Sequence, residues 1–192
     1  MIPLRYYLCV LAALIIERVS ELHLAQRNAA RAFESGAIEV GRRHYAAMVA
    51  IHTMFIASCA VEAAFRPRAI APAIVWCSIV AAILAQVLRY WSIMTLGERW
   101  NTRIIVTPEA MPVTGGPYTF VRHPNYVAVA IEIPAIALIG GAVVTAIVFS
   151  VLNIFLLAIR IRAEERALGP SWATAFETRP RFVPALRRTR QS

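Results

Sequence analysis

Long apolar stretches are the feature that most restricts what this chain can fold into. Five can be marked along its 192 residues, at about 4–22, 45–65, 69–93, 126–139 and 142–162. Gly140-Gly141 divides the last two, because glycine is a poor residue for a helix interior. A bilayer core about 30 Å thick requires about 20 helical residues. The sequence therefore predicts an all-α, polytopic membrane protein with about five transmembrane helices.

The composition agrees with this fold class. Hydrophobic residues make up 59% of the chain and charged residues 16%, and the mean hydropathy is +0.60. This excludes a disordered chain and a disulfide scaffold. The formal net charge of +9 comes from arginines that flank the apolar stretches, which is typical of contact with anionic lipid headgroups rather than nucleic acid. Membrane lipids are therefore the predicted partners, and Cys9, Cys59 and Cys77 are interpreted as small core residues.

The placement of the arginines predicts the orientation in the membrane. With five spans, 17 of the 20 basic residues fall on the side of the C-terminus, whereas Arg5, Arg66 and Arg68 fall on the other side. The positive-inside rule then places the C-terminus in the cytoplasm and the N-terminus outside. We expect one domain over 1–192, with three spans and a loop in 1–96, a functional core in 97–172 and a basic tail in 173–192.

The densest polar segment precedes the fourth apolar stretch. Residues 115–126 read GGPYTFVRHPNY. The two glycines permit positive φ angles and the close approach of a ligand, and each proline pushes the residue before it towards an extended conformation. One interpretation is a helix entry anchored by an arginine. The other is a functional turn, which the concentration of Arg122, His123 and Asn125 between two tyrosines favours.

A second charged segment, RIRAEER, covers residues 160–166 at the end of the fifth stretch. Arg160 and Glu164 are four residues apart and can pair on one helix face. The adjacent Glu164 and Glu165 point about 100° apart on a helix of 3.6 residues per turn. One glutamate can therefore face inward while the other pairs outward with an arginine. The alternative is a solvated helix end.

Together the two segments form the pattern GPYxxxRHPxY, followed after a helical hairpin by RxxxEE. This pattern resembles the isoprenylcysteine carboxyl methyltransferase family, integral-membrane enzymes that use S-adenosylmethionine, over residues 97–172. The segments ERVSEL at 17–22, MVAIHT at 48–53 and WNTRII at 100–105 resemble a bacterial branch whose members O-methylate alkylresorcinols or alkylpyrones. The resemblance implies a metal-independent methyltransferase of the bacterial cell membrane that acts on a lipophilic phenolic or pyrone lipid.

The resemblance also implies where the cofactor binds. The implied cofactor residues are Tyr118, Arg122, His123, Pro124, Asn125, Tyr126, Glu164 and Glu165. Arg122 can bind the carboxylate of S-adenosylmethionine bidentately, and it is also a candidate catalytic residue. A tyrosine face can stabilise the sulfonium by cation–π attraction. The predicted acceptor-binding residues are His52, Trp100 and Asn101.

Glu132 is the second candidate catalytic residue. It lies seven residues into the fourth stretch, where an ionisable group is costly and by default suggests function. Since a phenol or enol must lose a proton, Glu132 is predicted to act as a general base or to orient the acceptor; a structural hydrogen bond is the alternative. For His52 the alternative is a core histidine. Glu17 and Glu21 are predicted to pair with Arg18 or a loop arginine.

Three functions remain open from the sequence. The first is O-methylation of a lipophilic small molecule in the membrane. The second is the same chemistry on an isoprenylcysteine carboxylate, which is already ionised and needs no base. The third, from a different class, is a small membrane transporter or a structural membrane protein.

Overall fold

The computed structural model describes residues 2–66, 69–108 and 110–182. Within these ranges the chain forms five α-helices: α1 (Leu4–Glu34), α2 (Arg42–Phe65), α3 (Pro72–Leu96), α4 (Pro124–Ile139) and α5 (Val143–Ala175). Single 3-10 turns lie at Gly97–Arg99 and Gly116–Thr119. The all-α fold class and the helical hairpin after Pro124 are confirmed. Residues 183–192, which are half of the predicted basic tail, lie outside the described residues.

Three of these helices are long and apolar enough to cross a membrane, at Tyr45–Phe65, Pro72–Arg99 and Val143–Ala175. This confirms a membrane protein with several apolar helices. The α4 helix has only 16 residues, and α1 carries charged side chains at Arg5, Glu17, Arg18 and Glu21. For these two helices, membrane spanning stays a prediction.

Large apolar side chains cover the outer faces of the helices. Ile16, Trp76 and Phe155 are exposed, as suits contact with lipid rather than water. Cys9 and Cys77 are exposed as well, so the prediction that all three cysteines are core residues is wrong for these two, and only Cys59 is buried. The physical reason is that lipid tails are as apolar as a protein core, so composition does not distinguish the two faces of such a helix.

The core lies where α1, α2, α4 and α5 meet, and Tyr7 is at its centre. The Tyr7 hydroxyl donates to the Ile136 carbonyl at 3.1 Å, which satisfies one of the unpaired carbonyls at the end of α4. A Cβ atom at Gly140 would lie 2.2 Å from the Tyr7 ring. Glycine at this position therefore lets the turn between α4 and α5 pack directly against α1.

Two short strands, β1 (Ile38–Val40) and β2 (Ile104–Val106), form an antiparallel pair in which Glu39 lies opposite Ile105. The sequence analysis did not predict this pair. The β-branched residues of β2 favour a strand, but a run of three residues carries too little periodicity to be recognised. The pair joins the loop after α1 to the loop after α3, at the end of the bundle where α2 begins.

Candidate functional site

A cavity of about 650 Å³ lies at this same end of the bundle, where α1 and α3 end and α2 and α4 begin. Its volume is in the range of small-molecule sites. Nine of the twelve predicted site residues line it, which brings the two separate sequence segments into one site: His52, Trp100, Asn101, Tyr118, Arg122, His123, Asn125, Tyr126 and Glu164. Among the described residues, Pro124, Glu132 and Glu165 lie outside this lining. Pro124 begins α4.

The Tyr126 hydroxyl joins the two charged side chains of α5. It accepts a hydrogen bond from Arg160 Nε at 2.8 Å and donates to Glu164 Oε2. The predicted direct pair between Arg160 and Glu164 is therefore wrong, because the hydroxyl lies between them. Arg160 is buried and also donates to the carbonyl of Thr102, so this network connects α4, α5 and the loop after α3.

His123, which lines the cavity, and Glu165, which lies outside the lining, form a second network. His123 Nε2 lies 3.1 Å from Glu165 Oε1, and Arg181 donates to both oxygens of Glu165 at 3.0 and 2.6 Å. The bond to Glu165 raises the pKa of Arg181 above its ordinary value. Since Glu164 lines the cavity and Glu165 pairs outward, the predicted division between the two glutamates is confirmed.

The aromatic part of the site is built around the His123 ring. Its centroid lies 5.3 Å from that of Tyr126 and 5.6 Å from that of Trp172. Trp172 stacks in turn on Phe176, at 4.8 Å between centroids. Burial, with a further contribution from the nearby Glu164, raises the pKa of Tyr118 well above its ordinary value. Tyr118 therefore stays a neutral phenol throughout the physiological pH range.

Arg122 has a structural role that the sequence did not indicate. Its Nε donates to the Arg179 carbonyl at 2.6 Å, and its backbone N–H donates to the Pro180 carbonyl at 2.9 Å. These bonds attach the segment after α5 to the start of α4. Arg122 also lines the cavity, and the two N–H groups of its Nη1 atom are the donors best suited to a ligand carboxylate.

Of the two glycines of the 115–126 segment, Gly116 has the positive φ angle that the sequence suggested, at +53°. The atoms close to it belong to α3. A Cβ at Gly116 would lie 2.3 Å from Thr95 Oγ1 and 3.1 Å from Trp91 Nε1. A Cβ at Gly115 would meet nothing within 4 Å. The close approach at Gly116 therefore packs the turn onto α3, and the approach of a ligand to this turn stays a prediction.

The predicted acceptor residues differ in their freedom to bind a ligand. Asn101 donates to the Ala25 carbonyl at 2.9 Å and accepts from the Arg103 N–H at 3.0 Å, so its amide holds the loop in place. The Trp100 indole N–H is buried and has no hydrogen-bond partner within the described part of the chain. The Nδ1 atom of His52 lies 2.8 Å from the Met48 carbonyl, and the side chain lines the cavity.

Glu132 lies in a buried ionic cluster of three helices rather than in the wall of the large cavity. Its Oε1 accepts from Arg18 of α1 at 3.1 Å, and its Oε2 accepts from Arg89 of α3. Arg18 also pairs with Glu21 at 2.6 Å and with Glu17 at 3.2 Å, as predicted. We call Glu17, Arg18, Glu21, Arg89 and Glu132 the ionic cluster. Its Arg18, Glu21 and Arg89 line the cavity.

Several lining residues were not singled out as site residues by sequence analysis: Asn28, Arg31, Arg89, Arg103, Asn153, Arg160, Trp172 and Phe176. Arg89, Asn153 and Arg160 carry a sequence signal, because the first two are strongly polar residues inside an apolar stretch and Arg160 is the arginine of the RxxxEE pattern. The other residues of this list become part of the site through the packing of the helices and loops.

Comparison with known proteins adds independent findings. A family profile described as the isoprenylcysteine carboxyl methyltransferase family matches residues 77–170. A protein of Bacillus subtilis (strain 168), named uncharacterized protein YpbQ, is 40% identical over 160 residues, which are 83% of this chain and 94% of that protein. An uncharacterized protein of Haemophilus influenzae is 27% identical over 169 residues, which are 85% of this chain and 92% of that protein.

Proposed function

Because the chain belongs to the isoprenylcysteine carboxyl methyltransferase family, a family of membrane methyltransferases, we propose that it uses S-adenosylmethionine to O-methylate a lipophilic acceptor. The acceptor that we propose is a phenolic or pyrone polyketide lipid in a bacterial cell membrane. Family membership confirms the resemblance carried by residues 97–172, and the profile match extends it into α3.

The single observation that carries this proposal is the continuity of the large cavity. At one end it is lined by the turn before α4 and by Glu164, and at the other by His52 and Arg89, which lie inside the apolar helices α2 and α3. A methyltransferase for membrane lipids must bring a water-soluble cofactor and a lipid together. One cavity that connects polar loops with the helix interior meets this requirement.

The residues present fit the cofactor. The Oδ1 atoms of Asn125 and Asn153 and the Nε1 atom of Trp100 are buried and have no hydrogen-bond partner among the described residues, and all three side chains line the cavity. Since buried polar atoms are nearly always hydrogen-bonded, two acceptors and one donor here suit a ligand rich in amino and hydroxyl groups. When bound, S-adenosylmethionine supplies an electrophilic methyl group.

Different side chains are proposed to bind different groups of the cofactor. Arg122 is proposed to hold the carboxylate of the cofactor, while Glu164 accepts a hydrogen bond from its ammonium or from a ribose hydroxyl. The aromatic faces of Tyr118 and Trp172 stabilise the positive sulfur by cation–π attraction. His123 is part of this wall, and Glu165 holds the His123 ring in place from outside the lining. Of the interpretations of Glu132, its two ion pairs with neighbouring helices favour the structural one.

Calorimetric titration with S-adenosylhomocysteine tests the cofactor site. Arg122→Ala, His123→Ala and Glu165→Ala are each expected to weaken binding at least tenfold while the protein stays folded in detergent. Arg5→Ala is the matched control, since Arg5 is an arginine outside the cavity lining and its loss should leave the affinity unchanged. Parent-like affinity in all three site variants would remove the cofactor assignment and favour a transporter or structural protein.

A methylation assay on a membrane extract tests the acceptor class. With donor labelled in its methyl group, we expect label in a base-stable ether of a small lipid. Label released as methanol by mild base would instead indicate a methyl ester, as expected for an isoprenylcysteine carboxylate.

A further inference from the structure

We propose that Glu21 is the group that takes the proton from a phenolic or enolic acceptor, and that the ionic cluster around it selects such acceptors over carboxylates. This inference rests on the proposed methyltransferase function and deepens it. It is carried by the contacts of the cluster and by its position at the inner end of the cavity.

Glu21 combines burial, a place in the cavity lining and an unpaired oxygen. It is 6% exposed and lines the cavity. Its Oε2 is held by Arg18 at 2.6 Å and lies 3.7 Å from Arg89. Its Oε1 has no hydrogen-bond partner in the part of the chain that the structure describes. One oxygen is therefore fixed by two guanidinium groups, and the other is free to accept a proton.

Glu132 differs on each of these points. Both of its oxygens are engaged, one by Arg18 and the other by Arg89. It lines a separate space of about 20 Å³ beneath the large cavity, together with His52 and Leu14. A carboxylate whose two oxygens accept from arginines is a poor proton acceptor. Glu132 is therefore a positioning residue that holds the two arginines next to Glu21.

The same arginines offer donors for the oxygen that loses its proton. The Nε atoms of Arg18 and Arg89 are buried and have no partner among the described residues. A phenol at this end of the cavity needs one acceptor for its proton and donors for its developing negative charge, and the cluster contains both. Donors placed where charge develops are an effective means of lowering a reaction barrier.

The charge balance of the cluster allows it to take up a proton. It contains three carboxylates but two guanidinium groups, so one added proton brings it to neutrality. The groups that face Glu21 from the packed helices are Glu17, Arg18, Arg89, Tyr90 and Glu132, and His52 of α2 lines the same cavity. A carboxylate acceptor would bring a further negative charge beside Glu21, which like-charge repulsion disfavours.

In the reaction, the acceptor oxygen forms a bond to the methyl carbon as its O–H bond breaks. The proton passes to Glu21 Oε1, and the electron pair of the broken carbon–sulfur bond remains on sulfur. Glu21 then returns the proton to water that enters with product release. No oxidant, reductant or metal is needed for this balance.

Glu21→Gln tests the proposal, with 5-pentadecylresorcinol in phospholipid vesicles as the acceptor probe. At pH 7 we expect turnover to fall about 10²–10⁴-fold, as for a lost general base, with unchanged affinity for S-adenosylhomocysteine. The loss should shrink as the pH approaches the phenol's own pKa of about 10, because the phenolate needs no base. Glu34→Gln is the matched control, since Glu34 is an exposed glutamate of the same helix that lies outside both the ionic cluster and the cavity lining.

Several outcomes of these experiments would count against the proposal. Turnover of the Gln variant within a few-fold of the parent, or a loss equal at every pH, overturns it. If Glu21→Gln does not fold, Glu21→Asp replaces it as the test, because aspartate keeps the charge but places the carboxylate farther from the acceptor. We expect the turnover of this variant to fall at least tenfold. Turnover equal to that of the parent overturns the role of Glu21. A parent protein that methylates farnesylcysteine but not the resorcinol overturns the Glu21 inference and leaves the methyltransferase. A parent that binds no S-adenosylhomocysteine overturns the proposed function itself.

Discussion

The hydroxyl of Tyr126 shows how much of the site depends on single polar atoms. It lies between Arg160 and Glu164 and bonds both, and Arg160 is only 5% exposed. A buried donor or acceptor that loses its partner costs about 1–3 kcal/mol. The hydroxyl therefore fixes the orientation of Glu164 towards the cavity.

Tyr126→Phe should accordingly lower the free energy of unfolding by about 1–3 kcal/mol and weaken S-adenosylhomocysteine binding about tenfold. Thermal unfolding in detergent and calorimetric titration measure the two effects. Tyr6→Phe is the matched control, because the Tyr6 side chain is exposed on α1 and its hydroxyl serves no buried group. Identical behaviour of the two variants would mean that the Tyr126 hydroxyl does not organise the site.

At the scale of elements, a change of direction in α5 completes the aromatic wall. Gly169 has φ 76° and ψ −170° within this helix and precedes Pro170. This conformation is essentially restricted to glycine, and it directs the last turns of α5 across the site. Trp172 and Phe176 thereby pack against Tyr118 in one buried cluster.

Gly169→Ala tests the role of this bend. A Cβ at Gly169 would meet nothing within 4 Å, so any effect arises from backbone strain of about 1–3 kcal/mol. We expect weaker S-adenosylhomocysteine binding and reduced quenching of Trp172 fluorescence by the ligand. Gly115→Ala is the matched control, since Gly115 also has open space around it but a negative φ of −83°. Equal affinities of the two variants would show that the bend is not needed.

At the scale of the whole molecule, the cavity and the loops that carry polar groups lie at one end of the bundle. The ends of α1 and α3 and the starts of α2 and α4 meet there. In the predicted five-span topology, 17 of the 20 arginines fall on this side. The proposed orientation therefore opens the cofactor end of the cavity towards the cytoplasm, where S-adenosylmethionine is made.

Reporter fusions test this orientation. A C-terminal green fluorescent protein fusion should be fluorescent, and a C-terminal alkaline phosphatase fusion inactive, because the first folds in the cytoplasm and the second outside it. A fusion of each reporter after α2 is the control, since this loop is predicted on the opposite side. The reverse pattern would contradict both the arginine argument and a cytosolic source of cofactor.

Much of the site could be predicted from the sequence, because most of its predicted residues lie in short continuous segments. The apolar stretches determined the helices, because only a helix satisfies its backbone polar groups within a membrane. The predicted cofactor residues lie in two short segments, the turn at 115–126 and the charged segment at 160–166 of α5. Within each segment they are only a few positions apart. Adjacent glutamates must point in different directions on any helix, so helix geometry allowed a division between Glu164 and Glu165, and the structure determined that Glu164 is the one at the cavity.

Only the tertiary structure determines which charged side chains pair with each other. Glu132 pairs with Arg18, which is 114 residues away, and with Arg89, which is 43 residues away. Arg122 binds carbonyls beyond α5. These partnerships depend on the faces that the helices turn towards each other, and an apolar face suits a lipid tail as well as a neighbouring helix. The sequence alone therefore identifies charged residues inside apolar stretches. Only the packed bundle distinguishes the paired oxygens of Glu132 from the Glu21 oxygen that has no partner among the described residues.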